Sequence, residues 1–456
     1  MSRRVTPGLW GILIGVILFL NLSLSVQAAD RVQPVDGVVT VVIDPGHGGK
    51  NNGTNSGHTL EKEMTLITAQ AMYDELTQFD NVQVYMTRTK DVGLELYERA
   101  EYAQSVNADF MFSIHYNASE FHTMYGTEVW VSCMPPYNAY GYQFGYQHLE
   151  SFREMGLFVR GAKTRFSTEH PGQDYYGILR ESADREVPAV IIEHCYVDEE
   201  RDADFVKNAE DYKAFGRADA HSVARYFGLK SAKLGIDYSD VPSNLQPASA
   251  DAVVQSTLQD LTVPDICDIS LLECDYDTGE LSLSISATDY DSPLVYYDYT
   301  IDGGKTWSRL ETWPDTDTLT GEYPDTFRLN LTIPGGRRPQ IRVRAYNISD
   351  VFKESNTLSF DQTFSKRTGG DQLTASAQVE RKEQEAVPAT EPLEHKHESI
   401  GTTTFEPVSA EVEKDLSAVN ILTFLKFCLA LVIVLFVIVL TAQIVNYNRR
   451  KKRKRR

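Results

Sequence analysis

Three apolar runs, each stopping at a polar residue, constrain this chain more than any other feature. Val41-Val42-Ile43 stops at Asp44-Pro45-Gly46-His47-Gly48-Gly49, Phe110-Met111-Phe112-Ser113-Ile114 stops at His115, and Val187-Pro188-Ala189-Val190-Ile191-Ile192 stops at Glu193. Each run is long enough for one buried strand, and the Pro/Gly turn after the first presents His47 to solvent. In an open parallel sheet ligands collect beyond the carboxyl ends of the strands, so His47, His115 and Glu193 can converge although they lie far apart in sequence.

Around these runs strands and helices alternate. Leu60, Met64, Ile67 and Ala71 fall at helical spacing in a helix that Glu61 begins, and Leu96, Ala100 and Ala103 do the same between Leu94 and Val106. Val82 to Met86, Thr127 to Ser132, Tyr176 to Leu179 and Ala189 to Ile192 read as strands. A Tyr-rich stretch to about Arg165, with Tyr137, Tyr140, Tyr142 and Tyr146, reads as helix and serves either packing or a glycan groove. The stretch from Asp204 to Tyr226 reads as a closing helix. Residues 38–229 are therefore expected to form an α/β domain, a mostly parallel sheet with helices on both faces.

The pattern changes after a Ser/Pro/Asp-bearing linker, residues 230–263. Leu281, Leu283 and Ile285 alternate with polar residues, as do Phe327, Leu329, Leu331 and Ile333, and again Ile341, Val343 and Ala345. Asp302-Gly303-Gly304 and Pro334-Gly335-Gly336 punctuate them. An all-β Ig-like or fibronectin-like sandwich is expected over 264–364. Residues 365–416 are rich in Glu, Thr, Ala, Ser and Pro, the composition of a flexible charged stalk.

The ends carry addresses. Residues 1–28 have a basic start, an apolar core from Leu9 to Leu20 and small residues before Ala29, the layout of a secretory signal peptide. Residues 421–445 read as a single transmembrane helix, uncharged from Phe427 to Val445, and 446–456 as a basic cytoplasmic tail that stays inside and can hold anionic lipid headgroups. The expected location is the cell membrane, single-pass, with the α/β domain outside the cytoplasm. The formal net charge of −20 includes +8 from Arg449–Arg456 and +2 from Arg3 and Arg4, so residues 29–448 carry −30. That acidic middle excludes a nucleic-acid partner, which needs a basic face. Cys133, Cys195, Cys267 and Cys274 make no CxxC pair, which argues against a thiolate zinc site, while a Cys267–Cys274 disulfide stays open.

Two imidazoles and one carboxylate are what a catalytic Zn²⁺ needs, because three protein ligands leave a position for water. His47 and His115 supply the imidazoles. Glu61 begins the helix that follows the loop leaving His47 and can fold back over the same sheet edge; Glu63 lies about 200° further round that helix. A second, non-ligating carboxylate must move the proton to the leaving nitrogen, and Glu193 is the candidate. Cys195 as a nucleophile is a rival reading, against simple packing. Arg180 is a candidate partner for a substrate carboxylate or a surface ion pair, and His194 and Asn117 are further candidate substrate contacts.

At these residues the chain resembles the zinc-dependent N-acetylmuramoyl-L-alanine amidases of the Amidase_3 family. The likeness runs from about Val38 to Phe227. It rests on Asp44-Pro45-Gly46-His47-Gly48-Gly49, Leu60-Glu61-Lys62-Glu63-Met64-Thr65-Leu66, Thr87-Arg88, Leu96-Tyr97-Glu98-Arg99-Ala100, Asn107-Ala108-Asp109-Phe110, Ser113-Ile114-His115-Tyr116-Asn117-Ala118 and Val187 to Glu193, in the family's order. The resemblance implies one Zn²⁺ on His47, Glu61 and His115, Glu193 as catalytic acid/base, and peptidoglycan as substrate, cut between N-acetylmuramic acid and L-alanine of the stem peptide. The chain departs from the family after the catalytic glutamate, where His194-Cys195-Tyr196 replace a glycine and an aromatic. That departure keeps in view a wall-binding protein without turnover; another zinc amidohydrolase or peptidase acting elsewhere in the stem peptide is a separate alternative. The Ig-like domain is expected to act as a spacer or to dock a wall or protein partner that nothing in its residues names.

Overall fold

The computed structural model describes residues 37–240 except Ser56, 259–365 and 373–379, together with Val32 and Pro34. The expected signal peptide, transmembrane helix and basic tail, and most of the stalk, lie outside the described residues. Among the described residues no helix is long and apolar enough to cross a membrane.

The first half alternates as its sequence does: β1 Val39–Pro45, α1 Glu61–Leu76, β2 Val82–Met86, α2 Leu96–Ser105, β3 Phe110–Asn117, β4 Thr127–Val131, α3 Tyr137–Glu154, β5 Val159–Lys163, α4 Gly177–Ala183, β6 Ala189–Tyr196, α5 Glu200–Ala203 and α6 Ala209–Phe227. The six strands form one sheet in the order β2-β1-β3-β6-β4-β5. Every pairing is parallel except β4 with β6, so the expected mostly parallel sheet carries one reversal. Successive side chains of a strand point to opposite faces, and β1 shows it: Val41 and Ile43 enter a core with Met72 of α1, Phe144 of α3 and Val223 of α6, whereas Val42 enters the core beneath α2 and α4 with Ala103 and Ile178. Helix α6 opens with an Asn208 capping box and ends on left-handed Gly228, which closes its last carbonyls.

Two expectations fail here. Tyr176 to Leu179, read as a strand, begins helix α4; an apolar run this short does not distinguish helix from strand. Strand β5 was hidden in the expected helix because Arg160, Gly161 and Lys163 do not look like a buried strand, yet β5 is buried throughout.

A small hairpin, β7 Lys230–Ser231 and β8 Ile236–Asp237, closes this part. The second half is β-rich: β9 Ile266–Cys274, β10 Glu280–Thr288, β11 Leu294–Thr300, β12 Glu311–Thr312, β13 Thr326–Thr332, β14 Gln340–Asn347, β15 Phe352–Glu354, β16 Leu358–Ser359 and β17 Thr374–Gln378. One sheet has the order β17-β13-β10-β9, and the other β12-β11-β14-β15 with β16 on β14. Their inward residues, among them Leu283, Leu329, Tyr297 and Val343, share one core with Trp313. Strand β17 falls in the expected stalk; it is ordered by pairing with the edge of β13. Cys267 and Cys274 are free. They sit toward opposite ends of strand β9, about 23 Å apart along an extended backbone, beyond the reach of a disulfide.

The two halves pack together. Tyr125 and partly buried Met124 and Phe158 of the α/β domain meet Val295, Tyr296, Leu310 and Tyr346. The seam also holds polar bonds, including Arg153 to Asp317 at 2.6 Å, Arg309 to Glu199 at 2.8 Å and Thr318 to the Val159 carbonyl at 2.7 Å.

Candidate active site

Strand β1 delivers His47 through a loop whose carbonyls are gripped by two buried arginines. Arg99 donates to Asp44 Oδ1 at 2.7 Å, to the Pro45 carbonyl at 2.8 Å and to the His47 carbonyl at 2.6 Å. Arg88 donates to the carbonyls of Pro45 at 2.9 Å and Gly46 at 2.7 Å. His47 has φ of 61°, a left-handed conformation uncommon for a residue with a side chain, and these bonds hold it there. Burial works against a charge on Asp44, but Arg99 and the hydroxyls of Thr87 and Ser113 hold its carboxyl below the usual range. Gly46 is required by contact: a Cβ there would lie 2.3 Å from His115 Cε1.

Glu61, 3 % exposed, is the point where the site closes. Its Oε1 lies 2.9 Å from His47 Nε2 and 3.1 Å from His115 Nδ1, and accepts the Tyr116 N–H at 3.1 Å. Its Oε2 accepts the Thr54 N–H at 2.7 Å. Burial opposes its charge, yet the two histidines hold its carboxyl far below the usual range. His47 shifts the other way: burial disfavours its cation, and the bond to Glu61 pushes its pKa up overall. The three donor atoms lie within 4.8 Å of one another. Two imidazole nitrogens and one carboxylate oxygen suit zinc. Gly53 leaves room for them, since a Cβ there would sit 2.4 Å from Glu61 Oε2 and 2.8 Å from His47 Cδ2.

Glu193 pairs in register with His115 on one side and with Glu128 on the other. Its Oε2 is shielded from solvent and has no hydrogen-bond partner among the described residues. Burial first, then the negative charges of Glu61 and Glu128, push its pKa well above the ordinary value. A carboxyl with a raised pKa, beside two histidines and a carboxylate, is placed for proton transfer. A cavity of about 580 Å³, lined among others by His47, His115, Arg99, Leu94 and Ile178, opens on this edge of the sheet.

The remaining candidates fall elsewhere. His194 is buried, stacks on Tyr116 at 4.9 Å, and places Nδ1 2.8 Å from the His115 carbonyl and Nε2 2.9 Å from Asp219 Oδ2. It cannot meet a substrate; it braces the strand that carries His115. Asn117 is partly exposed and donates to Glu128 Oε1 at 2.9 Å. Arg180 donates to the Asp174 carbonyl at 2.8 Å and lines a separate groove with Ser167, Tyr175 and Tyr176. Cys195 is packed in an apolar cluster with Tyr116 and Phe215, its thiol pushed well up by burial, which removes it as a nucleophile. The Tyr-rich stretch is mainly packing, with Tyr142 in the core and Tyr140 and Tyr146 against it. Sequence reasoning missed Glu128, Arg160 and Lys163; the available signal was an acid inside a five-residue strand that is otherwise suited to burial.

This sheet edge, with two histidines and a carboxylate that could hold a metal ion and a second carboxyl beside them, has the layout of a hydrolytic site. Comparison with known proteins makes the class particular. The Amidase_3 family, N-acetylmuramoyl-L-alanine amidase, matches residues 41–225. The chain is 30% identical over 217 residues to N-acetylmuramoyl-L-alanine amidase CwlM of Bacillus licheniformis, covering 47% of this chain and 79% of that protein. It is 29% identical over 194 residues to the sporulation-specific N-acetylmuramoyl-L-alanine amidase of Bacillus subtilis, covering 42% of this chain and 70% of that one. The solved catalytic domain of CwlV, an N-acetylmuramoyl-L-alanine amidase from Bacillus (Paenibacillus) polymyxa, matches with 26% identity and a TM-score of 0.37 over 42% of this chain and 100% of that one. The chain belongs to the Amidase_3 family of N-acetylmuramoyl-L-alanine amidases and is a peptidoglycan hydrolase.

Proposed function

We propose that this amidase works with one Zn²⁺ held by His47, Glu61 and His115, with Glu193 as general acid/base, on peptidoglycan outside the cell membrane. The observation that carries the reading is the single oxygen, Glu61 Oε1, reached by both His47 Nε2 and His115 Nδ1 beside the register partner of His115, Glu193. Zinc bound there would supply Lewis acidity, lowering the pKa of a water toward neutrality and polarising the scissile carbonyl. In its ionised form Glu193 would accept a proton from the attacking water and return it to the nitrogen of L-alanine, as the water's oxygen bonds to the lactyl carbonyl carbon and the C–N bond breaks. Arg88, Arg99 and Asp44 keep the His47 loop in place while this happens. Asn117, at the rim of the site, is the candidate substrate contact.

The apolar and basic ends of the chain support a single-pass membrane protein exported by residues 1–28 and anchored by 421–445, with the catalytic domain facing the wall. The two-sheet β-rich domain fits an Ig-like sandwich. The test is purified protein with peptidoglycan, with and without chelator. New L-alanine amines that vanish with chelator and return with Zn²⁺ are expected. Amines from other stem-peptide positions would assign a different bond, and wall binding without new amines would remove the catalytic reading.

A further inference from the structure

A buried arginine joins the catalytic edge to the β-rich domain. Glu128 of β4 stands directly across from Glu193 of β6, and directly opposed residues of an antiparallel pair share a face, with Cβ atoms about 5 Å apart. Two carboxyl groups so close, one of them, Glu128, only 2 % exposed, are tolerable only with cations at hand. Arg160 Nε and Lys163 Nζ provide these, reaching Glu128 Oε2 at 2.8 and 2.7 Å. The other oxygen, Oε1, accepts Asn117 Nδ2 at 2.9 Å.

Apart from a contact of Nη1 with Met124 Sδ at 3.9 Å, the remaining donors of Arg160 turn to the other domain. Nη1 reaches Tyr296 Oη at 3.0 Å, and Nη2 reaches both carboxylate oxygens of Asp350 at 2.9 and 2.8 Å. Its guanidinium lies 5.1 Å from the Tyr196 ring and 5.5 Å from the Tyr296 ring. A guanidinium presents its donors in a fixed fork, so fixing the outer side by Asp350 fixes Nε on Glu128. Asp350 is itself held at φ of 67° with its N–H on the Asn347 carbonyl.

We propose that Glu128 is a positioning residue for the amidase reaction and that the β-rich domain, through Asp350 and Tyr296, holds Arg160 and hence Glu128 in place. The second domain is then part of the catalytic apparatus rather than a spacer. The inference rests on the reading of Glu193 as the proton carrier. It is specific to this contact: Arg153 and Asp317 also pair across the seam, but neither touches Glu128 or the site.

The test uses the full chain and a soluble muropeptide, with kcat, KM, bound zinc and thermal stability measured together. Asp350→Ala is expected to lower kcat about ten-fold, equivalent to about 1.4 kcal/mol, with KM and zinc content unchanged. Asp350→Glu is expected to recover a large part of that loss. Arg153→Ala breaks the seam elsewhere and is expected to leave kcat within about two-fold. Tyr296→Phe removes the hydroxyl that accepts from Arg160 and donates to the Tyr125 carbonyl, and keeps the ring, so it reports even if Asp350→Ala folds poorly; a loss of about three-fold in kcat is expected. Equal kcat in Asp350→Ala, Arg153→Ala and the parent, or a loss that falls wholly on KM or on zinc, would overturn the proposal. A parent protein that released no L-alanine amines would instead strike the functional reading beneath it.

Discussion

Two buried ion clusters flank the catalytic edge, and they are built on different plans. On the β1 side Arg88 and Arg99 bond mainly to backbone carbonyls of Pro45, Gly46 and His47, so the cluster clamps one loop and is complete within the α/β domain. On the β4 side Arg160 and Lys163 bond to a side chain, Glu128, and Arg160 is completed only by Tyr296 and Asp350 of the second domain. A cation on a carbonyl fixes the shape of a loop. A cation shared between two carboxylates fixes a relation between two bodies. The first flank serves any protein with this loop; the second belongs to a chain that carries both domains.

Experiments can break or sharpen that contrast. The largest effect is expected between the flanks, where Glu193→Gln should lower kcat by about 10²- to 10⁴-fold with the fold and bound zinc retained; circular dichroism and metal analysis alongside kinetics check this. On the first flank Arg99→Ala leaves Asp44 buried and unpaired and frees the His47 loop. A stability loss of about 3–5 kcal/mol by urea unfolding is expected, with weakened zinc retention.

Acid should loosen the second flank. Glu128 has its pKa held down to about 2 from an ordinary 4.5: burial opposes its charge, but Lys163 and Arg160 outweigh burial. A folded pKa below the unfolded one gives stability that is present above about pH 4.5 and is lost as pH falls toward 2. Burial and Arg160 disfavour the Lys163 cation, so the net gain is smaller than the carboxyl alone suggests. The stability gap between the parent and Glu128→Gln should therefore shrink between pH 4.5 and 2, and a gap constant over that range would deny the second flank its charge. The smallest effect is expected for Arg153→Ala, below about 1 kcal/mol in unfolding, because that pair is about one-third exposed.

Much of the edge between the flanks was legible in the sequence. The runs ending at His47, His115 and Glu193 form neighbouring strands β1, β3 and β6, and Glu61 begins α1 as its position after the loop required. The second flank was not. Arg160 and Lys163 fell in a stretch that reads as helix, and the groups that make the burial of Arg160 tolerable, Glu128 and Asp350, lie 32 and 190 residues from it. Likewise β17 pairs with a strand more than forty residues earlier, which no local composition reveals. His194 read as a possible substrate contact because its partners, the His115 carbonyl and Asp219, come from two other elements.

The aromatic seam carries a practical consequence for handling the enzyme in pieces. A fragment ending at residue 240 would present Tyr125, Met124 and Phe158 to water, stripped of Tyr296, Leu310 and Tyr346. Such a bared apolar patch promotes self-association, so the cut that preserves solubility falls beyond the last strand of the β-rich domain, not at the end of the hydrolase fold.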